Sequence, residues 1–180
     1  MPLAFVGASR ESYADALGQL ERAAASLSAA ELSREADDLF AFAGLLHAEG
    51  GLRRSLSDAS LPSAAKIGLV DALLKERFST PGLNVVHGLI TTRWSRSRDV
   101  VDAADTLGVI ALLASSEKEG HLDDVEDELF RFGRILEREP ELLIALQDPT
   151  LPVEPRTRLL TDVLSQMKSR PAVPKVAAGN

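Results

Sequence analysis

One segment of this chain occurs twice. LFAFAGLLHAEGGLRRSLSDASLP, residues 39–62, returns without a gap as LFRFGRILEREPELLIALQDPTLP, residues 129–152, an offset of 90 residues. Leu39, Phe42, Leu46, Leu56, Asp58 and Pro62 recur as Leu129, Phe132, Leu136, Leu146, Asp148 and Pro152, and Leu69 and Leu74 as Leu159 and Leu164. The same offset carries Ala14, Asp15, Leu17 and Gly18 onto Ala104, Asp105, Leu107 and Gly108. Self-similarity at a fixed offset means two units folded to one packing plan. Most matched positions are apolar and helically spaced, so what the repeat preserves is a core; Asp58 and Pro62 sit where a turn opens the next helix.

Composition agrees on the kind of plan. Hydrophobic residues make up 45% of the 180, but aromatics only 4%, and the Ala and Leu that dominate favour helix over sheet. The first copy reads as six helices, two of them short. Tyr13, Leu17, Leu20, Ala24 and Leu27 form one stripe, and Leu32, Ala36, Leu39, Ala43 and Leu46 a second. Gly50 and Gly51 are expected to stop the second helix, Pro62 to lie in the first turn of the helix through Ile67, Val70 and Leu74, and Thr80 to cap one that begins at Pro81. A sixth helix begins near Asp99. Because residues 104–108 repeat 14–18, that helix would serve both copies. The expected fold is all-α: a six-helix bundle over 10–105, a partial second bundle over 106–164 sharing the connecting helix, and a disordered tail over 165–180, where Pro, Gly and Ala replace the apolar stripe.

Several kinds of chemistry find no support. The absence of cysteine excludes disulfides and thiolate metal sites. His47, His87 and His121 lack paired ligand spacing, and neither a Gly-rich phosphate loop nor a GxSxG elbow occurs. Asp123, Asp124, Glu126, Asp127 and Glu128 fit the opening turns of a helix better than an acid/base pair. A net charge of −7, from 27 acidic and 20 basic side chains, argues against tracking a nucleic-acid backbone. The opening MPLAFVGA has no basic region and too short an apolar run for a signal peptide or membrane span. Neither a cofactor nor a metal is expected. One cluster mixes cations with an aromatic: Arg93, Trp94, Arg96 and Arg98 in TTRWSRSRD. It is open to three readings, a grip on a phosphate, contact with an acidic partner helix, or a helix–helix corner that Trp94 covers while the arginines stay solvated.

The order of elements from LGVIALLASSEKEGHLDDVEDELF through REPELLIALQDPTLP to the Pro152 helix, with RWSRSRDVVDA ahead of it, resembles the delta subunit of bacterial F-type ATP synthase, the oligomycin-sensitivity-conferring family. Within it the chain is most similar to the long actinobacterial type, which carries an additional helical bundle. The resemblance covers residues 9–164. It implies a non-catalytic stator, peripheral at the cytoplasmic face of the membrane through its complex, whose bundle holds amphipathic N-terminal helices of alpha subunits between its first and fifth helices. In the first copy those stripes are Leu17 and Leu20 with Leu83, Val86, Leu89 and Ile90. The family continues into a small αβ domain that grips the b subunits of the peripheral stalk, the second partner the resemblance implies; that domain is not read after Leu164. The alternatives are a free-standing helical adaptor and, last, a nucleic-acid binder using Arg93 to Arg98.

Overall fold

A computed structural model describes residues 5–148 and 150–169. Among them the chain forms nine helices and no strand, divided into two compact units, Met1–Leu122 and Asp123–Asn180.

The first unit holds α1 (Ala8–Ala24), α2 (Ala29–Ala48), α3 (Gly50–Ser57), α4 (Ser63–Leu74), α5 (Thr80–Thr91) and α6 (Asp99–Lys118). Local chemistry sets their ends. Ser28 and Glu31 form a reciprocal capping box that opens α2. The helix stops at Glu49, not at the glycines: Glu49 leaves the helical region, its N–H still bonds the Leu45 carbonyl at 2.8 Å, and Arg53 Nη1 donates to the Leu46 carbonyl at 3.0 Å. Gly50 and Gly51 are instead the first turn of α3. Pro62 is the N-cap of α4 and not a residue of its first turn. The cap of α5 is Ser79 in place of Thr80, because Asp38 of α2 accepts from both the Ser79 N–H (2.8 Å) and its Oγ (2.6 Å) and holds it in extended backbone while that Oγ accepts from the Gly82 N–H. Gly82 lies so near Asp38 that a β-carbon there would fall 2.5 Å from Oδ2.

The core centres on α2 and α6, which run antiparallel: Ser115 Oγ near the end of α6 donates to the Ala29 carbonyl at the start of α2, at 2.8 Å. Leu39, Phe42 and Leu46 of α2 and Ala103, Ala104, Leu107 and Ala111 of α6 are completely or almost completely buried. Gly108 permits the closest approach, since a β-carbon there would lie 2.8 Å from the Phe40 ring. The unit extends past residue 105 to Leu122 because α6 keeps to α2 as far as its last turns, where Lys118 Nζ also reaches the Ala25 carbonyl at 3.4 Å.

The second unit contains α7 (Leu122–Arg138, whose first residue closes the first unit), α8 (Pro140–Gln147) and α9 (Val153–Ser169). It repeats the first in detail. The bounds of α8 match those of α3 at the offset of 90, with Pro140 in place of Gly50 at the first position, and Glu139 breaks the helix as Glu49 does, its N–H on the Ile135 carbonyl at 2.9 Å. Asp58 Oδ1 accepts from the N–H (2.8 Å) and Oγ (2.7 Å) of Ser60; Asp148 Oδ1 accepts from the N–H (2.8 Å) and Oγ1 (2.7 Å) of Thr150. These bonds hold both carboxyls below the ordinary carboxylate range. Helix α9 continues to Ser169, so residues 165–169 belong to it and not to a disordered tail; its Thr157 and Thr161 hydroxyls bond back to carbonyls one turn earlier. Residues 170–180 lie outside the described residues.

The two copies differ in burial. Leu39, Phe42, Leu46 and Leu56 are at most 1% exposed, whereas Leu129 is 61% exposed and Phe132, Leu136 and Leu146 are only half-buried. Leu46→Ala should therefore cost the first unit about 2–5 kcal/mol, as full removal of a buried leucine does, while Leu136→Ala should cost well under half as much. Hydrogen exchange resolved by unit checks this; equal losses would mean that the second unit is packed as well as the first.

Candidate partner-helix interface

The apolar residues expected to line a groove between α1 and α5 are in the core. Val86, Leu89 and Ile90 are completely buried, Leu20 and Leu83 nearly so, and Leu17 packs half-buried against them. The strongest apolar stripe of each helix is the one its own core takes, so those side chains are not free to meet a partner. Leu89→Glu would place a charge among them and cost the fold itself.

What stays open is the neighbouring face of the same two helices. Ala14, Asp15, Gly18, Gln19 and Arg22 of α1 meet Gly88 and Thr91 of α5 and the adjoining Thr92 around a cavity of about 260 Å³. Gln19 also borders a second cavity of about 430 Å³, with Ala23, Leu27, Pro81, Asn84 and Val85, and with Glu35 of α2. Later residues of α1 pair with earlier residues of α5, so the helices are antiparallel and the two cavities follow one seam. Gly88 lets the Gln19 side chain lie against α5: a β-carbon there would fall 2.5 Å from Gln19 Oε1.

Glu35 is the unusual group here. It is completely buried, and neither carboxylate oxygen has a hydrogen-bond partner. Burial, and after it the charge of Asp38, pushes its carboxyl up to about 7. Sequence held a signal for it, since Glu35 falls three residues after Leu32 and four before Leu39, inside the apolar stripe of α2, and the second copy has Val125 at that place.

The arginine cluster forms a corner. The Trp94 ring is 9% exposed, its Nε1–H donates to the Leu89 carbonyl at 2.7 Å, and Phe5 meets it edge-on at 6.3 Å between centroids while stacking on Tyr13 at 4.7 Å. Arg96 donates from Nε and Nη2, both at 3.0 Å, to Oδ1 of the buried Asp99; Oδ2 of Asp99 accepts from Ser9 Oγ at 2.6 Å, and Ser9 Oγ accepts from the Ser95 N–H at 2.7 Å. Arg98 reaches Asp102 at 3.7 Å. Arg93 points to solvent while its carbonyl accepts from Ser12 Oγ at 2.6 Å. The cluster thus joins the start of α1 to the start of α6, with two of its three arginines, just ahead of α6, beside carboxylates of that helix's first turn. The sequence showed the arginines and the tryptophan but not Ser9, Ser95 and the hub role of Asp99. Of the histidines, His87 Nε2 lies 2.8 Å from Asp71 of α4, His121 lies 3.7 Å from Glu119, and His47 is exposed; among the described residues no three His, Cys, Asp or Glu side chains converge on a metal site.

Two outcomes follow from this geometry. Asp99→Ala should lower stability by about 2–4 kcal/mol, because it leaves Ser9 and Arg96 without their shared acceptor, while Arg98→Gln should stay within about 0.5 kcal/mol as an exposed pair does; denaturant titration of both separates a structural corner from a solvated one. For Glu35 the sign is fixed by linkage. Its folded value near 7 exceeds the ordinary 4.5, so the folded chain holds the extra proton between those values, and the stability this group contributes is present below about pH 4.5 and lost as pH rises through about 7. The stability of the unsubstituted chain relative to Glu35→Gln should decline over that window and stay flat above it.

No family model matches the chain. Curated relatives do: proteins named ATP synthase subunit delta from Frankia alni and Acidothermus cellulolyticus are each 42% identical over 88% of this chain, and that of Streptomyces coelicolor is 41% identical over 91%. The chain spans about three-fifths of the length of these relatives, 59–60%. Kinship of this extent makes the chain a homologue of the actinobacterial proteins named ATP synthase subunit delta.

Proposed function

We propose that this chain acts as a non-catalytic stator subunit, part of the peripheral stalk of a proton-translocating F-type ATP synthase, and that the α1–α5 seam of its first unit holds an amphipathic N-terminal helix of an alpha subunit of the catalytic hexamer. The relatives' name supports the assembly. The observation that carries the seam comes from the repeat. ADALG, residues 14–18 of α1, recurs as ADTLG, residues 104–108 of α6. In α6 this face is covered by a helix: Ala104 and Leu107 are completely buried and Gly108 lies under the Phe40 ring of α2. In α1 the matching Ala14 and Gly18 border an open cavity instead. One example of the pattern is thus covered by a helix while Ala14 and Gly18 of the other border a cavity, and this contrast supports reading the seam as a helix site.

The mechanical task agrees. A stator resists torque through extended contacts, and a helix laid in a seam of small residues brings backbones close and spreads the load along several turns. No bond chemistry is asked of the chain. No helix of the described residues is long and apolar enough to cross a membrane, and we place the chain at the cytoplasmic face of the membrane through the complex. Contact with b subunits of the stalk is assigned to none of the described residues.

Ala14 and Thr91 are exposed on the two sides of the seam, so Ala14→Trp and Thr91→Trp fill it without entering the core. Each should weaken binding of the chain to the alpha/beta hexamer about ten-fold or more, a difference of about 1.4 kcal/mol, with thermal stability unchanged. Unaltered affinity in both variants would remove the seam from the interface.

A further inference from the structure

We propose that Glu35 is the receptor for a basic side chain, lysine or arginine, carried by the helix that occupies the α1–α5 seam. This rests on the reading of the seam as a helix site and adds the chemistry by which it selects its helix.

The first support is the state of the carboxyl itself. Both oxygens of Glu35 are buried and unpartnered, and such a group is costly unless something completes it. The chain offers nothing near at hand. Asp38, the neighbouring carboxylate on α2, already accepts from Ser79 and lies 3.5 Å from Arg34 Nε. From α1 the cavity receives Gln19, Ala23 and the following Leu27, and from α5 Pro81, Asn84 and Val85. None of these is cationic; Arg22 borders the neighbouring cavity instead.

Packing does not require an acid at this position. The repeat places Val125 at the same point of α7, so the plan shared by the two copies is satisfied by an apolar residue. A glutamate inside the apolar stripe of α2, facing a cavity of about 430 Å³, departs from that plan where the seam can use it.

The cavity also fits the ligand class. Ala23, Leu27, Pro81 and Val85 offer apolar contact to the methylene stem of a long basic side chain, and the Gln19 and Asn84 amides stand exposed at the rim, where a head group passes from water to the carboxylate. With Asp38 close behind Glu35, two carboxylates draw on one incoming cation, which favours a charged donor over a neutral one.

The test uses the full chain and, as probe, a labelled peptide of the alpha subunit's N-terminal helix from the same synthase, with a series in which each Lys or Arg is replaced singly by norleucine. The expected result is one basic position whose loss weakens binding to the unsubstituted chain about ten-fold or more but leaves binding to Glu35→Gln unchanged. Glu35→Gln and Glu35→Leu should each weaken the parent peptide by a similar factor, with melting temperatures equal to or above that of the unsubstituted chain, a combination that a merely structural residue does not produce. Parent-strength binding by both variants overturns the inference and leaves the seam standing. An affinity loss equal across all peptides of the series also overturns it, because Glu35 then pairs with no basic residue. If the parent peptide binds no form of the chain, the seam reading fails and this inference with it. Should Glu35→Leu lose its circular dichroism signal, the isosteric Glu35→Gln decides alone.

Discussion

The close antiparallel packing of α2 on α6 is the constraint from which the rest of the first unit follows. Each helix presents small residues to the other's large ones: Ala103, Ala104, Gly108 and Ala111 on α6 leave room for Phe40, Phe42 and Leu46 on α2. Each large side chain taken fully out of water contributes about 1.5–3 kcal/mol, and a β-carbon at Gly108 would already crowd the Phe40 ring. With α2 fixed against α6, Asp38 is placed to hold Ser79, and so the start of α5 is set from α2. Asp99, on the first turn of α6, gathers Ser9 and Arg96 and brings in the start of α1. The antiparallel run of α1 against α5, and the seam between them, is thus held by polar contacts from the middle of α2 and the start of α6.

Much of this was legible because the repeat checks itself. Asp58 and Asp148 were readable as turn residues before any geometry was known, and they make the same pair of bonds to the residue two places on. The stripes of α2 and the start of α6 at Asp99 were equally plain. Helix ends were less so. Glycine is a common stop, yet Gly50 occupies a first turn where the other copy has Pro140, a residue that favours that position. The shift of the α5 cap from Thr80 to Ser79 depends on Asp38, 41 residues away, and no local rule contains that distance.

The residues expected to meet a partner lie in or against the core for a related reason. Periodicity finds the side of a helix that is most apolar, and in a bundle that side is claimed by the bundle's own core, as Val86, Leu89 and Ile90 show. The seam proposed as a helix site on the same two elements is the next face round, which is populated by Ala14, Gly18, Gly88 and Thr91 and gives almost no hydropathy signal. Its trace in the sequence is the recurrence of ADxLG, which means little until one copy is seen covered and the other open.

That contrast bears on how a repeat can diverge without losing its fold. Leu46, completely buried in the first unit, and Leu136, half-buried in the second, are both leucine, the packing pattern that the repeat keeps. Glu35, which borders the seam, stands against Val125 in the other copy. A carboxyl buried without a partner is a weakness of the isolated unit, because burial makes its charge harder to hold and nothing nearby in the chain offsets this. An apolar residue there would suit the isolated unit better. What an acid can do and valine cannot is distinguish one incoming helix from another, and that distinction carries weight only if the seam is filled in the working assembly.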